Sequence, residues 1–174
     1  MKNLVSVNNL SKKFSSFKAV KEINFNINEN EILGLLGPNG CGKTTTIGMM
    51  LGLLKPTSGE VIINGLNVEK NRIELLKKMN FISPYIELPK KLTERENLLV
   101  YGKLYSVEKI KNRIDYLIET LRLNEFINKK TGELSSGQKN RVSLAKAVIN
   151  DPDILLLDEP TACLLYTSDA ADEP

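Results

Sequence analysis

The sequence predicts an α/β fold: a parallel central sheet, an antiparallel β subdomain ahead of it, and an inserted α-helical subdomain. Three observations predict this. The apolar run Ile32-Leu33-Gly34-Leu35-Leu36 leads into a glycine-rich stretch and then a helical pattern, the strand, turn and helix order of a parallel unit. Ile154-Leu155-Leu156-Leu157 is a short, wholly apolar run, as expected of a central parallel strand covered on both faces. From about residue 86 to 136 the pattern is helical only, which makes that stretch an insertion in an otherwise alternating chain.

Taken in order, residues 4 to 36 read as strands joined by polar turns. Ile23, Phe25 and Ile27 alternate with Asn24 and Asn26, as in a sheet wet on one face. Asn28-Glu29-Asn30 is the turn before the next strand, Ile32 to Leu36, and Thr46 to Leu54 suits a helix. Lys55-Pro56-Thr57-Ser58-Gly59 breaks that helix, and Val61-Ile62-Ile63 before Asn64-Gly65 predicts a strand ending in a tight turn. Residues 71 to 79 suit a short helix, and Phe81-Ile82 a short strand stopped by Ser83-Pro84. Thr93-x-x-Glu96 is a capping box opening a helix to about Tyr105, and Ile110, Ile114, Leu117, Ile118 and Leu121 mark one face of the next.

The totals narrow the function. At 174 residues the chain is one domain by the usual prior, and its 41% hydrophobic and 26% charged content is that of a soluble globular protein. A net charge of +3 carried by scattered basic residues does not point to nucleic acid. No run is long enough to span a bilayer, and the start lacks the apolar core of a secretory signal, so a cytosolic chain is expected. Cys41 and Cys163 make no disulfide framework, and there is no histidine.

Chemistry concentrates in three strings. The first is Gly37-Pro38-Asn39-Gly40-Cys41-Gly42-Lys43-Thr44-Thr45, in which Gly37, Gly42, Lys43 and Thr44 fit the G-x-x-x-x-G-K-[ST] pattern. In that pattern the backbone amides wrap phosphates, the lysine reaches the β/γ-phosphates and the hydroxyl ligates Mg²⁺. A glycine-rich turn between strand and helix would not require Lys and Thr after the last glycine. The second is the carboxylate pair Asp158 and Glu159 ending the apolar strand, where one can serve a metal and the other an attacking water. Standing alone, the pair fits equally well two solvated acids ahead of Pro160. The third, Leu134-Ser135-Ser136-Gly137-Gln138, opens a helix with an apolar stripe through Val142, Ala145, Val148 and Ile149. Capping accounts for the type of these residues but not for the string itself.

The three strings in this order resemble the ATP-binding cassette of ABC transporters, over residues 3 to 162. The resemblance implies a P-loop NTPase core that binds ATP and Mg²⁺. Lys43 and the amides from Gly37 to Thr45 would hold the phosphates, Thr44 and Asp158 the metal, and Glu159 would polarise the hydrolytic water. It also implies that Ser135, Gly137 and Gln138 meet the nucleotide of a second cassette in a head-to-tail pair, and that Phe14 stacks on adenine unless Phe14 and Phe17 are core. A transmembrane permease would be the other partner, which puts the chain in the cytoplasm at the inner face of the membrane.

The sequence departs from the family in three places. Ser136 stands where a glycine is usual, and Ser83-Pro84-Tyr85 where a glutamine usually senses the metal. The segment Ser83 to Pro89 resembles cassettes of ABC-2-type exporters, so an exporter's energy-coupling subunit is expected. A ribosome- or DNA-associated cassette protein and a nucleotide sensor without turnover, suggested by Tyr85, are the alternatives. After Ala162 the family pattern stops. Residues 163 to 174 look like the translated end of a sequencing-library adapter joined to a truncated gene. Residues 1 to 162 are then the native cassette, incomplete at its C-terminus. The chain as written is expected to bind ATP poorly, and the full product to hydrolyse it.

Overall fold

A computed structural model of the chain describes residues 2–83 and 87–158. It divides after Leu76 into two compact units.

The first unit is built on an antiparallel sheet. Strands β1 (Asn3–Phe14) and β2 (Phe17–Asn28) form a hairpin closed by Ser15 and Ser16, with Phe14 opposite Phe17. Strand β3 (Ser58–Ile63) pairs with the other edge of β1, and β4 (Leu66–Asn67) with β3, giving the order β2-β1-β3-β4. Asn64 and Gly65 turn β3 into β4 with φ of 51° and 76°, the left-handed pair that an Asn-Gly hairpin turn requires. The expected alternation in β2 is present: Ile23, Phe25 and Ile27 are half-buried while Asn24 and Asn26 face water. Val5, Val7, Leu10, Val20, Val61 and Ile63 are buried with Ile47, Met49 and Met50 of helix α1 (Lys43–Met50). Each such side chain contributes about 1.5–3 kcal/mol by leaving water.

Three sequence expectations change here. The run Ile32 to Leu36 is not a strand: its backbone is irregular, and Ile32 and Leu36 are 99% and 94% exposed. A strand exists through its partners, and none of the described strands runs beside this segment. Helix α1 begins at Lys43 and stops at Met50 rather than spanning Thr46 to Leu54. Gly52 takes φ of 64° and donates to the Met49 carbonyl, while Leu53 donates to the Gly48 carbonyl, and this reversal ends the helix. Helix α2 spans Val68–Leu76 instead of residues 71 to 79, because the Asn67 side chain accepts from the Glu69 amide at 3.1 Å and starts it early.

In the second unit, β5 (Met79–Ile82) and β6 (Ile154–Leu157) run parallel, with Met79 beside Ile154 and Ile82 beside Leu157. The parallel pairing agrees with the sequence; the double coverage does not. Only Ile154 is buried, and Leu155 to Leu157 are half-exposed, since β6 has a single described neighbour. Helices α3 (Glu94–Leu104) and α4 (Ile110–Thr120) lie between the two strands in sequence, followed by α5 (Ser136–Ala147). Leu98, Ile114, Leu117, Ile118, Leu123, Phe126, Leu134, Val142, Ala145 and Ile149 form one core. The Thr93–Glu96 capping box is present in full.

Candidate functional site

In the first unit the loop from Gly37 to Thr45 is shaped by its glycines. Gly37, Gly40 and Gly42 have φ of 150°, 80° and 100°, and Gly42 is the N-cap of α1. A Cβ on Gly42 would stand 2.4 Å from the Ala19 carbonyl oxygen, and one on Gly37 would stand 2.6 Å from Cys41 Sγ. The loop is therefore pressed against β2 at Gly42 and folded on itself at Gly37, while Gly40 has open space around it. Pro38, Asn39, Gly40 and Cys41 are exposed. Lys43 turns back over the loop, and its ammonium donates to the carbonyls of Gly37 at 2.6 Å and Pro38 at 3.0 Å. Thr46, which the sequence placed at the start of a helix without a role for its side chain, is buried and donates its hydroxyl to the Gly42 carbonyl at 2.9 Å, fixing the first turn. Thr44 and Thr45 follow Lys43 in that turn.

This geometry fits a phosphate group. The first turn of α1 carries no acid, it opens on Lys43, and glycines stand at three positions of the loop before it. Phe14 and Phe17 are 45% and 61% exposed, which removes the alternative that they are core. Phe14 instead lies at the hairpin end, with Lys12 Nζ 5.1 Å from its ring centre.

In the second unit Ser135 is the N-cap of α5. Its Oγ accepts from the Gln138 amide at 3.3 Å, and the Gln138 side chain accepts from the Ser135 amide at 3.0 Å. Gly137 sits half-buried in the same turn, which again contains no acid. This differs from α3, whose first turn holds Glu94 and Glu96. Asp158 follows β6 directly; it is buried, and its amide donates to the Ile82 carbonyl at 2.9 Å. The Asp158 carboxylate is a hard oxygen donor of the kind that Mg²⁺ takes beside waters and phosphate oxygens. Glu159 and Tyr85 lie outside the described residues, as does the segment from 163 to 174.

The second unit also holds a polar cluster that spacing did not announce. Glu94 and Asn97 are fully buried; the Asn97 amide donates to the Pro89 carbonyl, to Thr131 Oγ1 at 2.8 Å and to Glu94. Burial pushes the Glu94 carboxyl above its ordinary pKa, against hydrogen bonds from Thr131 and Asn97. The cluster ties the segment before α3 to the segment before Ser135.

Comparison with known proteins follows the same lines. The family model for the ABC transporter matches residues 20–162. The chain is 42% identical over 164 residues to the bacitracin transport ATP-binding protein BcrA of Bacillus licheniformis, covering 92% of this chain and 52% of that one. It is 40% identical over 158 residues to the Nod factor export ATP-binding protein I of Rhizobium johnstonii, covering 89% and 50%. The chain thus spans about half the length of these curated relatives. Among solved structures, cbiO1 of Clostridium perfringens, part of the ABC transporter complex cbiONQ, superposes with a TM-score of 0.82 at 28% identity, over 98% of this chain and 71% of that one. With a glycine-rich loop at the head of α1, a serine-capped α5 and an acid closing β6, the chain belongs to the ABC transporter family, as an ATP-binding cassette.

Proposed function

We propose that the chain is the ATP-binding and ATP-hydrolysing part of an ABC exporter, working at the cytoplasmic face of a membrane with a permease and a second cassette. One observation carries this reading: Gly42 holds the end of the Gly37 to Gly42 loop tightly against β2, with the Lys43 ammonium resting on the carbonyls of Gly37 and Pro38. Exchanging those two carbonyls for phosphate oxygens lets Lys43 hold a triphosphate without moving the loop. The amides of Gly40 to Thr45 and the start of α1 orient it. Phe14 offers an exposed ring to adenine. Thr44 and Asp158 hold Mg²⁺, which when bound neutralises charge on the phosphate oxygens. Glu159 orients the attacking water and accepts its proton. Ser135, Gly137 and Gln138 present the start of α5 to the nucleotide of the second cassette.

The exporter reading is supported by the names of two relatives, one for bacitracin transport and one for Nod factor export. Among the described residues no helix is long and apolar enough to cross a membrane, which is why a permease is part of the proposal. The test is nucleotide binding and ATP turnover in the purified protein and in its Glu159→Gln variant. Retained binding with turnover lost supports the reading. Unchanged behaviour in the variant points to a nucleotide sensor, and a wild-type protein that binds no ATP overturns the proposal.

A further inference from the structure

Glu94, Asn97 and Thr131 make a buried polar cluster that is short of a hydrogen. Glu94 and Asn97 are 0% exposed and Thr131 is 4% exposed. Asn97 has two amide hydrogens, and three oxygens compete for them: the Pro89 carbonyl at 3.3 Å, Thr131 Oγ1 at 2.8 Å and Glu94 Oε2 at 3.4 Å. The Thr131 hydroxyl gives its own hydrogen to the Glu94 carboxyl. Glu94 Oε1 and Asn97 Oδ1, on side chains already in contact, are left with no donor among the described residues.

A buried oxygen without a donor is costly, and a buried carboxylate is costlier still. Turning the Asn97 amide over does not help, because its oxygen would then face the Pro89 carbonyl oxygen. A proton on Glu94 does help: it makes a donor of one acceptor, needs no cavity and removes the buried charge. Burial, the largest influence on this carboxyl, pushes its pKa above the ordinary value. The charged groups around it are engaged or face water. On α3, Arg95 pairs with Asp115, and Glu96 is held by Thr93. Before α3, Glu87 pairs with Lys90 and Lys91 is exposed, and ahead of α5 Lys129, Lys130 and Glu133 are exposed. Lys139 of α5 favours the carboxylate, as the least of the influences on it.

We propose that the folded chain holds Glu94 as the neutral acid, its proton shared with Asn97 Oδ1, and that this proton latches the segment leading into Ser135. That segment lies along the one before α3. The Thr131 amide donates to the Leu92 carbonyl at 3.2 Å, the Gly132 amide to the Lys90 carbonyl at 3.3 Å, and the Glu94 amide to the Lys129 carbonyl at 3.1 Å. Through Asn97 the buried cluster ties the same two segments together from beneath. Loss of the proton leaves a bare carboxylate there, and the readiest relief is for the segments to part and admit water. Leu134 and Ser135 follow directly, so the N-cap of α5 loosens with them. The latch belongs to this unit alone and goes beyond the ATP-binding role proposed above.

Hydrogen exchange of the Thr131 and Gly132 amides in the full chain tests this, read as protection factors so that the intrinsic pH dependence of exchange is removed. In the wild type both amides are expected to open ahead of the helical core, with less protection than the Leu117 amide within α4. Their protection falls by up to about tenfold per pH unit above the ordinary carboxyl value of 4.5, and levels off once the folded chain also loses the proton. Glu94→Gln, whose amide donates where the acid did, keeps the protection and removes its pH dependence. The NMR shift of the Glu94 carboxyl carbon follows the same titration in the wild type, without any substitution. Protection that is flat with pH in the wild type overturns the inference, as does a slope that survives in Glu94→Gln or a carboxyl carbon that titrates at the ordinary value. Thr131 and Gly132 amides that open only together with Leu117 show a proton serving stability alone, and overturn the latch. Each of these results leaves the ATP-binding reading intact.

Discussion

Gly42 lies against Ala19 so closely that the methyl group of an alanine at position 42 would stand 2.4 Å from the Ala19 carbonyl oxygen. The head of α1 is thereby held tightly against β2 at Gly42. Gly42→Ala carries both this overlap and a left-handed φ of 100°, and is expected to cost about 2–4 kcal/mol. Gly40→Ala, with φ of 80° and open space around it, is expected to cost about 1 kcal/mol. Urea unfolding of the two variants checks the difference; equal losses would mean that the contact with β2 is not made in solution.

Ser135 offers a second comparison. Aspartate caps a helix as well as serine does, so Ser135→Asp is expected to keep stability within about 0.5 kcal/mol, whereas Ser135→Ala loses about 1 kcal/mol. If the start of α5 receives a phosphate, the fixed negative charge of Ser135→Asp lowers ATP turnover at least tenfold. A variant that is both stable and active would show that the capping box with Gln138 is the whole role of Ser135.

Glu94 sets a pH dependence whose sign follows from its burial. Its carboxyl has a higher pKa folded than the ordinary 4.5, so the folded chain holds this proton more tightly than the unfolded chain. Below about 4.5 the two states are alike in this respect; as pH rises from there to the folded value, stability falls, and above it the loss is constant. Glu94→Gln keeps the shape without the charge. Melting temperatures of wild type and variant are expected to converge near pH 4.5 and to separate in the variant's favour toward neutral pH. A constant offset across that range would mean that Glu94 does not titrate there.

The features legible in the sequence are those made by neighbouring residues. The Thr93–Glu96 capping box and the Asn64-Gly65 turn depend on side chains within a few positions, and they stand as expected; at Ser135 the sequence offered a cap, and the structure adds the reciprocal bond from Gln138. Ile32 to Leu36 has the composition of a buried strand, but pairing depends on residues far away, and composition cannot supply a partner. Glu94 sits beside a capping residue, where an acid is ordinarily solvated; only the packing around α3 turns it inward.

The parallel pairing of Met79 with Ile154 has a kinetic meaning. These strands close a loop that contains all of α3, α4 and α5, so the two-stranded sheet is the most non-local contact in its unit and waits on chain search. Helices that collapse first around Leu98, Ile114 and Val142 shorten that search by bringing the strand ends nearer. The helical core is thus expected to set the pace of refolding. Truncations within it should slow the appearance of the sheet, and substitutions in β6 should chiefly hasten its loss.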